Sequence, residues 1–444
     1  VPAADRRPNI VLILADDMGY SDIGCFGSEV ATPNLDRLAR EGMQFSQMYN
    51  GARCCPTRAC LLTGLYAQQA GVGHMVGDCG VGPAYQGYLR DDCVTLGEAL
   101  KRGGYRTLYS GKWHASPGIP VVGEPVAAPG EPGNPYPVSR GFDRFYGTLA
   151  GCGNYFNPHG LMDQDRRVAV EKDDFFYTDA ISARAAGMIA EAAADDAPFL
   201  LHVCYTAPHW PLHARPETIE KYRGTYRRGW DHIRTARHEE LKGRGVLDAD
   251  WDISPRDPNS RAFEADADTR QEWEDLRMAV YAAQVEEMDH GIGRILHQLE
   301  ADGIADDTLV LFLSDNGGCA EFLNENGDGR TWPSMYRHTA PPGSTCTVGN
   351  IEGLQPGSAT TFMSYDLPWA NASNTPFRLY KHWVHEGGIS TPCVCRWPAQ
   401  ITPGRLVHQP CHIVDFMATF LELAQTDYPE EYNGNAIQPL AGES

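Results

Sequence analysis

The chain is expected to fold as an open α/β structure, a large mostly parallel central sheet with helices on both faces. Three observations predict it. Short continuous apolar runs at Asn9 to Ala15, Phe199 to Cys204 and Thr308 to Ser314 have the length and content of strands buried on both faces. Segments with helical spacing alternate with these runs along the chain. The 444 residues, 42% hydrophobic and 10% aromatic, are enough to bury a large core. Such a length also fits about three domains, but one large sheet can use all of it.

In chain order, the first strand stops at Asp16-Asp17. A helix follows, with Thr32 as N-cap, Pro33 at the first helical position, Leu35 and Leu38 on one face and Gly42 at its end. Thr95 and Glu98 form a capping box for a helix over Leu96 to Arg102, closed by Gly103 and Gly104. A strand at Arg106 to Ser110 runs into Gly111-Lys112-Trp113-His114. Residues 115–137, rich in Pro and Gly, are expected to form a surface excursion. A helix around Thr178 to Ala194 leads into the strand that ends near Pro208-His209. Met278, Tyr281, Val285, Met288, Ile292, Ile295 and Leu299 recur at helical spacing, and the strand after them runs into Asp315-Asn316-Gly317-Gly318. Residues 319–376 are polar, irregular and longer than an ordinary loop, which marks them as functional or mobile. Ile413 to Ala424 has the pattern of a last helix.

Acidic residues outnumber basic ones, 58 against 37, for a formal charge of −21. That balance argues against nucleic acid or anionic lipid as a partner, because neutralising phosphates needs clustered Lys and Arg. It also repels anionic substrates at long range, so any anion site must be a local cationic pocket. No apolar run approaches the roughly 18 residues of a membrane span, and the chain is expected to be soluble. Thirteen cysteines, odd in number and scattered without a repeated CxxC pair, argue against structural zinc and a disulfide scaffold. Val1 rather than Met at the start predicts that an upstream segment, such as a signal peptide, has been removed.

Four predicted strands end in polar groups: Asp16-Asp17, Lys112 with His114, His209, and Asp315-Asn316. In open α/β sheets ligands bind beyond the carboxyl ends of the strands, so these distant residues are expected to share one site. Asp16, Asp17, Asp315 and Asn316 offer only oxygen donors, which suits a hard cation. Ca²⁺ is favoured over Mg²⁺, which usually keeps several waters. Each of these residues taken alone is also an ordinary turn or cap residue. The most specific stretch runs from Ala52 through Arg53-Cys54-Cys55-Pro56-Thr57-Arg58 to Thr63-Gly64. Pro56 is a good first helical residue, which puts Cys54 just before a helix N-terminus that favours an anion. Arg58 can turn back toward that end. These residues read as an activated sulfur, or something made from it, beside an anion pocket, or else as two cysteines buried in a turn.

The pattern Cys54-x-Pro56-x-Arg58, completed by Thr63-Gly64, resembles the signature of the type I, formylglycine-dependent sulfatases. The likeness extends through Arg7-Pro8-Asn9 to Asp16-Asp17, Thr32 to Asp36, Gly111 to His114, Ser314 to Gly317 and Lys381 before Glu386-Gly387-Gly388. Thr206-Ala207-Pro208-His209-Trp210-Pro211-Leu212-His213 makes it most similar to bacterial arylsulfatases. The resemblance implies an alkaline-phosphatase-like fold and a sulfuric ester hydrolase. In that family a cysteine, here Cys54 by its spacing to Pro56 and Arg58, is oxidised by a maturation enzyme to formylglycine. Its hydrated aldehyde is the nucleophile. The resemblance further implies that Asp16, Asp17, Asp315 and Asn316 bind Ca²⁺ and that Arg58 stabilises the hydrate. Lys112 and Lys381 would hold sulfate oxygens, His209 would protonate the leaving oxygen, and His114 would remove the second hydroxyl proton to expel sulfate. Arg378, His382 and His385 compete with Lys381 for its role. A thiol nucleophile would end in a stable adduct, whereas a geminal diol carries its own means of release, given a base such as histidine.

By the same likeness residues 1–425 are the catalytic domain, and 426–444 begin a small C-terminal subdomain that then breaks off. The expected substrate is a small sulfated carbohydrate or aryl sulfate. The expected compartment is the periplasm or the exterior, with the cytoplasm as the alternative. Residues 71–90 and 319–376 are expected to line the pocket, with Tyr85, Tyr88, Trp332 and Trp369 as platforms for a ring. The alternatives are a phosphate or phosphonate monoester hydrolase of the same fold, and a non-catalytic sulfated-glycan binding protein with Cys54 unmodified. Asn371-Ala372-Ser373 is a glycosylation triplet by pattern and is read as incidental.

Overall fold

Strand β1 (Asn9–Asp16) is buried at every residue after Asn9. Its side chains alternate between two cores: Val11, Ile13 and Ala15 enter one, Ile10, Leu12 and Leu14 the other. That alternation explains the unbroken apolar run, since a strand covered on both faces has no polar side. The computed structural model describes residues 7–116, 135–170, 174–321, 323 and 340–444. Most of the expected 115–137 excursion, and Trp332 within 319–376, lie outside the described residues.

The other strands of the main sheet are β2 (Met43–Tyr49), β3 (Arg106–Lys112), β4 (Arg144–Thr148), β5 (Leu161–Asp163), β6 (Arg166–Arg167), β7 (Phe199–Pro208), β8 (Thr308–Ser314), β9 (Ser390–Arg396), β10 (Arg405–Val407) and β11 (Cys411–His412). Their order is β10-β2-β9-β8-β1-β7-β3-β4-β5-β6, with β11 beside β2. The run β8-β1-β7-β3-β4 is parallel, while β9 and β5 run antiparallel to their neighbours. The sheet is therefore mostly parallel, as expected.

Helices α1 (Pro33–Glu41), α4 (Tyr177–Ala193) and α5 (Asp268–Ala301) cover the Val11 face, and α2 (Cys54–Thr63), α3 (Leu96–Arg102) and α7 (Asp415–Leu423) cover the other. The capping box of α3 forms: Glu98 N–H donates to Thr95 Oγ1 at 3.1 Å and Thr95 N–H to Glu98 Oε2 at 2.7 Å. Thr32 stands at the N-cap of α1, but its hydroxyl accepts from Gly24 N–H at 2.8 Å instead. The free N–H groups of Asn34 and Leu35 go to the Asp289 carboxylate of α5, at 3.1 and 2.8 Å. A buried anion at a helix N-terminus is worth more than a hydroxyl, and it also ties two elements together.

Helix α2 begins at Cys54, not after it, and Pro56 is its third residue. Thr57 N–H donates to Arg53 O at 2.9 Å and closes the first turn. A proline is tolerated there because the first-turn N–H groups have no intrahelical partner. The 319–376 stretch contains α6 (Asp366–Ser373) and a short parallel pair, Thr347–Val348 with Thr361–Phe362. Trp369 in α6 is no substrate platform: it is fully buried, edge-on to Trp230 at 5.4 Å and to Tyr226 at 5.5 Å. Asn371 is buried in the same helix, which agrees with an incidental triplet. Toward the C-terminus, Gln438 N–H reaches Asp92 O at 2.9 Å and Ala441 N–H reaches Gly64 O at 3.1 Å. Among the described residues no helix is long and apolar enough to cross a membrane.

Candidate active site

Sheet register brings the polar strand ends together. Ala15 pairs with Ser314, Asp16 with Pro208, and Gly111 with Cys204, so β8, β1, β7 and β3 end side by side. Lys112 Nζ donates to Asp16 Oδ2. Arg58, on the second turn of α2, grips Asp315 Oδ2 through Nε and Nη2 at 3.0 and 2.8 Å, and its Nη1 donates to Lys112 O at 2.8 Å. Asn316 Nδ2 donates to Asp17 Oδ1 at 2.7 Å, and Asp17 N–H donates to Asp315 Oδ1 at 3.2 Å. Lys381 Nζ donates to Asp17 Oδ2 at 2.9 Å and lies 3.5 Å from His209 Nε2. A ring nitrogen of His114 and the sulfurs of Cys54 and Cys55 lie within 4.8 Å of one another. All ten expected site residues thus converge, and each is buried. Arg378 and His385 are exposed, and His382 pairs with Glu321 rather than Asp17, so Lys381 is the cation of its segment that joins the cluster.

The charges nearly cancel: Asp16, Asp17 and Asp315 face Arg58, Lys112 and Lys381. Burial, with Asp315 next, pushes the Asp16 carboxyl well above its ordinary range, and Lys112 and Arg58 offset only part of this. For Asp17 burial works the same way, but His209 and Lys381 outweigh it and hold the carboxyl low. Asp16 Oδ1 and Asn316 Oδ1 are buried without a hydrogen-bond partner. Open oxygens in a carboxylate-rich pocket fit a hard divalent cation such as Ca²⁺, which would satisfy them and turn a near-neutral pocket into an anion receptor.

His209 Nδ1 lies 2.6 Å from Trp210 O and must donate to it. Burial depresses this ring to about 4, with Asp17 countering only in part. The neutral ring therefore presents an unprotonated Nε2 to Lys381. Burial also depresses His114 to about 4, so it is a neutral base beside residue 54. The Cys54 thiol is drawn well below its usual value, first by the hydrogen bond from Cys55 and then, against burial, by His114, Lys112 and Lys381.

The site carries a backbone signature that residue types do not announce. Asp17, Ala52, His114, Leu379 and His382 all adopt the left-handed region, with φ of 62°, 61°, 49°, 65° and 82°. Each such residue costs of order 1 kcal/mol, which the surrounding contacts must offset. Asn50 Oδ1 accepts from Ala52 N–H at 2.9 Å and Asn374 Oδ1 from Gly318 N–H at 2.9 Å. The Lys381 segment is pinned between them, by Lys381 N–H to Gly318 O at 3.2 Å and His382 N–H to Ala52 O at 2.8 Å. Gly151 packs on the His114 ring so closely that a Cβ there would sit 2.3 Å from Cε1. Glu321 Oε2 lies 3.6 Å from Lys381 Nζ and accepts from Trp210 Nε1 at 3.1 Å, while Oε1 meets His382 Nε2 at 2.8 Å. Only a tertiary structure reveals these supports.

A family model described as Sulfatase matches residues 8–426. An arylsulfatase of Klebsiella aerogenes is 31% identical, covering 100% of this chain and 92% of the relative. An uncharacterised sulfatase of Schizosaccharomyces pombe is 31% identical, covering 96% and 76%. The crystal structure of Ps i-CgsB in complex with k-i-k-neocarrahexaose shares the fold, with a TM-score of 0.63 at 24% identity over 97% of this chain and 75% of that one. With strand ends that gather cations around a helix-borne cysteine, and a match that runs nearly from end to end, this chain belongs to the sulfatase family and is a sulfuric ester hydrolase of the alkaline-phosphatase-like fold.

Proposed function

We propose that the chain cleaves sulfate monoesters of a carbohydrate or an aryl alcohol, with formylglycine made from Cys54 and with Ca²⁺ held by Asp16, Asp17, Asp315 and Asn316. The observation that carries this reading is the pair of buried open oxygens, Asp16 Oδ1 and Asn316 Oδ1, in a pocket whose own charges nearly cancel. When present, the ion supplies positive charge for a sulfate oxygen, and the hydrated aldehyde supplies an oxygen nucleophile that a thiol cannot replace.

The chain's own groups do the rest. Arg58, one turn after Cys54 on α2, is held by Asp315 and the Lys112 carbonyl, where it can stabilise an alkoxide forming at residue 54. Lys112 and Lys381, anchored on Asp16 and Asp17, bind sulfate oxygens without being drawn into solvent. The leaving oxygen needs a proton. His209 Nδ1–H is committed to Trp210 O, so Nε2, 3.2 Å from Asp17 Oδ2 and 3.5 Å from Lys381 Nζ, is the ring atom that carries the proton to the leaving oxygen, a role worth about 10²–10⁴ in rate. His114, neutral beside residue 54, accepts the hydroxyl proton that releases sulfate.

Peptide mass analysis of the segment carrying residue 54 tests the reading. Co-expression with a formylglycine-generating enzyme is expected to raise conversion of Cys54 and sulfatase activity in proportion. A fully active preparation with Cys54 still a thiol would overturn it. A strong preference for phosphate over matched sulfate esters would instead favour the phosphohydrolase alternative. A sulfated glycan polymer does not enter a cell intact, and with that substrate the enzyme would work in the periplasm or outside the cell.

A further inference from the structure

We propose that Glu321, with His382 and Trp210, forms the subsite for the leaving group and selects esters of neutral, hydroxyl-bearing alcohols against esters that carry a second anion beside the scissile sulfate. This rests on the sulfate-ester reading above and names the substrate class within it.

The argument begins with position. Lys381 Nζ bridges the two sides: it is 2.9 Å from Asp17 Oδ2 and 3.6 Å from Glu321 Oε2. Exposure rises along this line of contacts. The side chains of Asp17 and Lys381 are 1% and 3% exposed, that of Glu321 is 22% and that of His382 is 35%. The next residues along the chain, Trp383 and Val384, are exposed apolar side chains. An ester whose sulfate lies among the buried cations therefore passes its alcohol outward, past Glu321.

Chemistry supplies the selectivity. Burial opposes the charge of Glu321, but Lys381 first and then His382 outweigh it and hold the carboxyl far below its ordinary range. An ionised carboxylate only accepts hydrogen bonds, so it welcomes a hydroxyl and repels sulfate or carboxylate. Its partners fix where it points: Trp210 Nε1 donates to one oxygen at 3.1 Å and His382 Nε2 meets the other at 2.8 Å. Among the described residues, Lys381 and His382 are the basic groups within ion-pair distance of it, and Lys381 is already engaged by Asp17. The chain's formal charge of −21 acts in the same direction at longer range.

The test compares kcat/KM for two sugar esters that differ only in a second sulfate on the carbon next to the ester. Turnover of a small aryl sulfate by the same preparation reports the parent reading separately. Wild type is expected to prefer the singly sulfated sugar by about tenfold or more, mostly in KM. Glu321→Gln keeps the shape and acceptor oxygen but not the charge, and is expected to narrow the preference to about twofold. His382→Ala strips a partner from the carboxylate and is expected to widen it. An equal loss on both sugars in Glu321→Gln would reduce Glu321 to a prop for Lys381 and overturn the proposal. So would a wild-type preference for the doubly charged ester that Arg53→Met abolishes, since Arg53 adjoins residue 54 and has a buried, unpartnered Nε. Failure on aryl sulfate and on both sugar esters despite conversion of Cys54 would sink the parent reading and this inference with it.

Discussion

Two buried ionic clusters follow β1, and they are built to different rules. In the one around Arg237, Nη1 donates to Asp22 at 2.7 Å, and Nε and Nη2 donate to Glu29 at 2.9 and 2.8 Å. The second oxygen of Asp22 accepts from Gly19 N–H at 2.8 Å and from the Tyr281 hydroxyl at 2.7 Å. Every side-chain polar atom of Asp22, Glu29 and Arg237 is matched. The strand-end cluster is buried more deeply, since Glu29 keeps 25% of its side chain exposed, yet it leaves Asp16 Oδ1, Asn316 Oδ1 and His114 Nδ1 open. The Arg237 network, which only holds the fold together, closes its lone pairs, because an unmatched buried one is costly. A network that must receive a ligand keeps some open, and other contacts offset that cost.

The largest expected contrast is between Asp16→Asn and Asp22→Asn. The first is expected to cut turnover by about a thousandfold and to cost the metal-free protein less stability than the second, because burial disfavours the Asp16 carboxylate and offsets part of what its pair with Lys112 contributes. The second is expected to lose about 3 kcal/mol of stability in denaturant titrations, since it breaks a closed buried pair. Equal destabilisation by both would erase the distinction. Added Ca²⁺ sharpens it. After chelation, calcium at a hundred times its dissociation constant is expected to stabilise wild type and Asp22→Asn by about 2.7 kcal/mol, and Asp16→Asn by far less. Thermal melts would show this.

Gly151→Ala tests the His114 support. A Cβ there would meet the ring at 2.3 Å, so turnover is expected to fall about 10- to 100-fold with a much smaller change in melting midpoint. The smallest effect concerns an open oxygen away from the strand ends. Glu287 is buried, accepts from Arg215 N–H at 2.9 Å through one oxygen and leaves the other unmatched. Burial pushes it up to about 7 from 4.5. Its carboxyl is thus better placed protonated in the folded state, so its contribution is intact below pH 4.5 and is lost as pH rises through about 7. Glu287→Gln is expected to match wild type near the lower limit and to exceed it at pH 8 by about 1–2 kcal/mol, with unchanged selectivity among sulfate esters.

The four strands that present the site were legible because burial on both faces leaves an unbroken apolar run, and their polar terminators stand out against it. Strands β2 and β9 were not, since β2 alternates partly exposed polar residues and β9 contains Pro392. Long-range supports were equally hidden. Asp289 caps a helix 255 positions away, and nothing local at Asn34 announces it. The motif around Cys54 named side chains that the fold brings into one buried cluster, yet it displaced the helix start, because Pro56 fits the third position as well as the first. Glu321 and Gly151 reach the site only through tertiary placement, and no spacing rule finds them. Trp369 shows the converse error: an aromatic in an irregular stretch looked available and is packed at 0% exposure.

The hydrogen bond from Asn316 to Asp17 spans 299 positions, and Lys381 closes on Asp17 across 364. During synthesis, then, the centre does not exist until the chain has emerged past Lys381. Cys54 ends 1% exposed beneath these late arrivals. On the proposed formylglycine reading, an enzyme that oxidises this sulfur must reach it while the nascent chain is still open, and any step that speeds closure would shorten the time available to it.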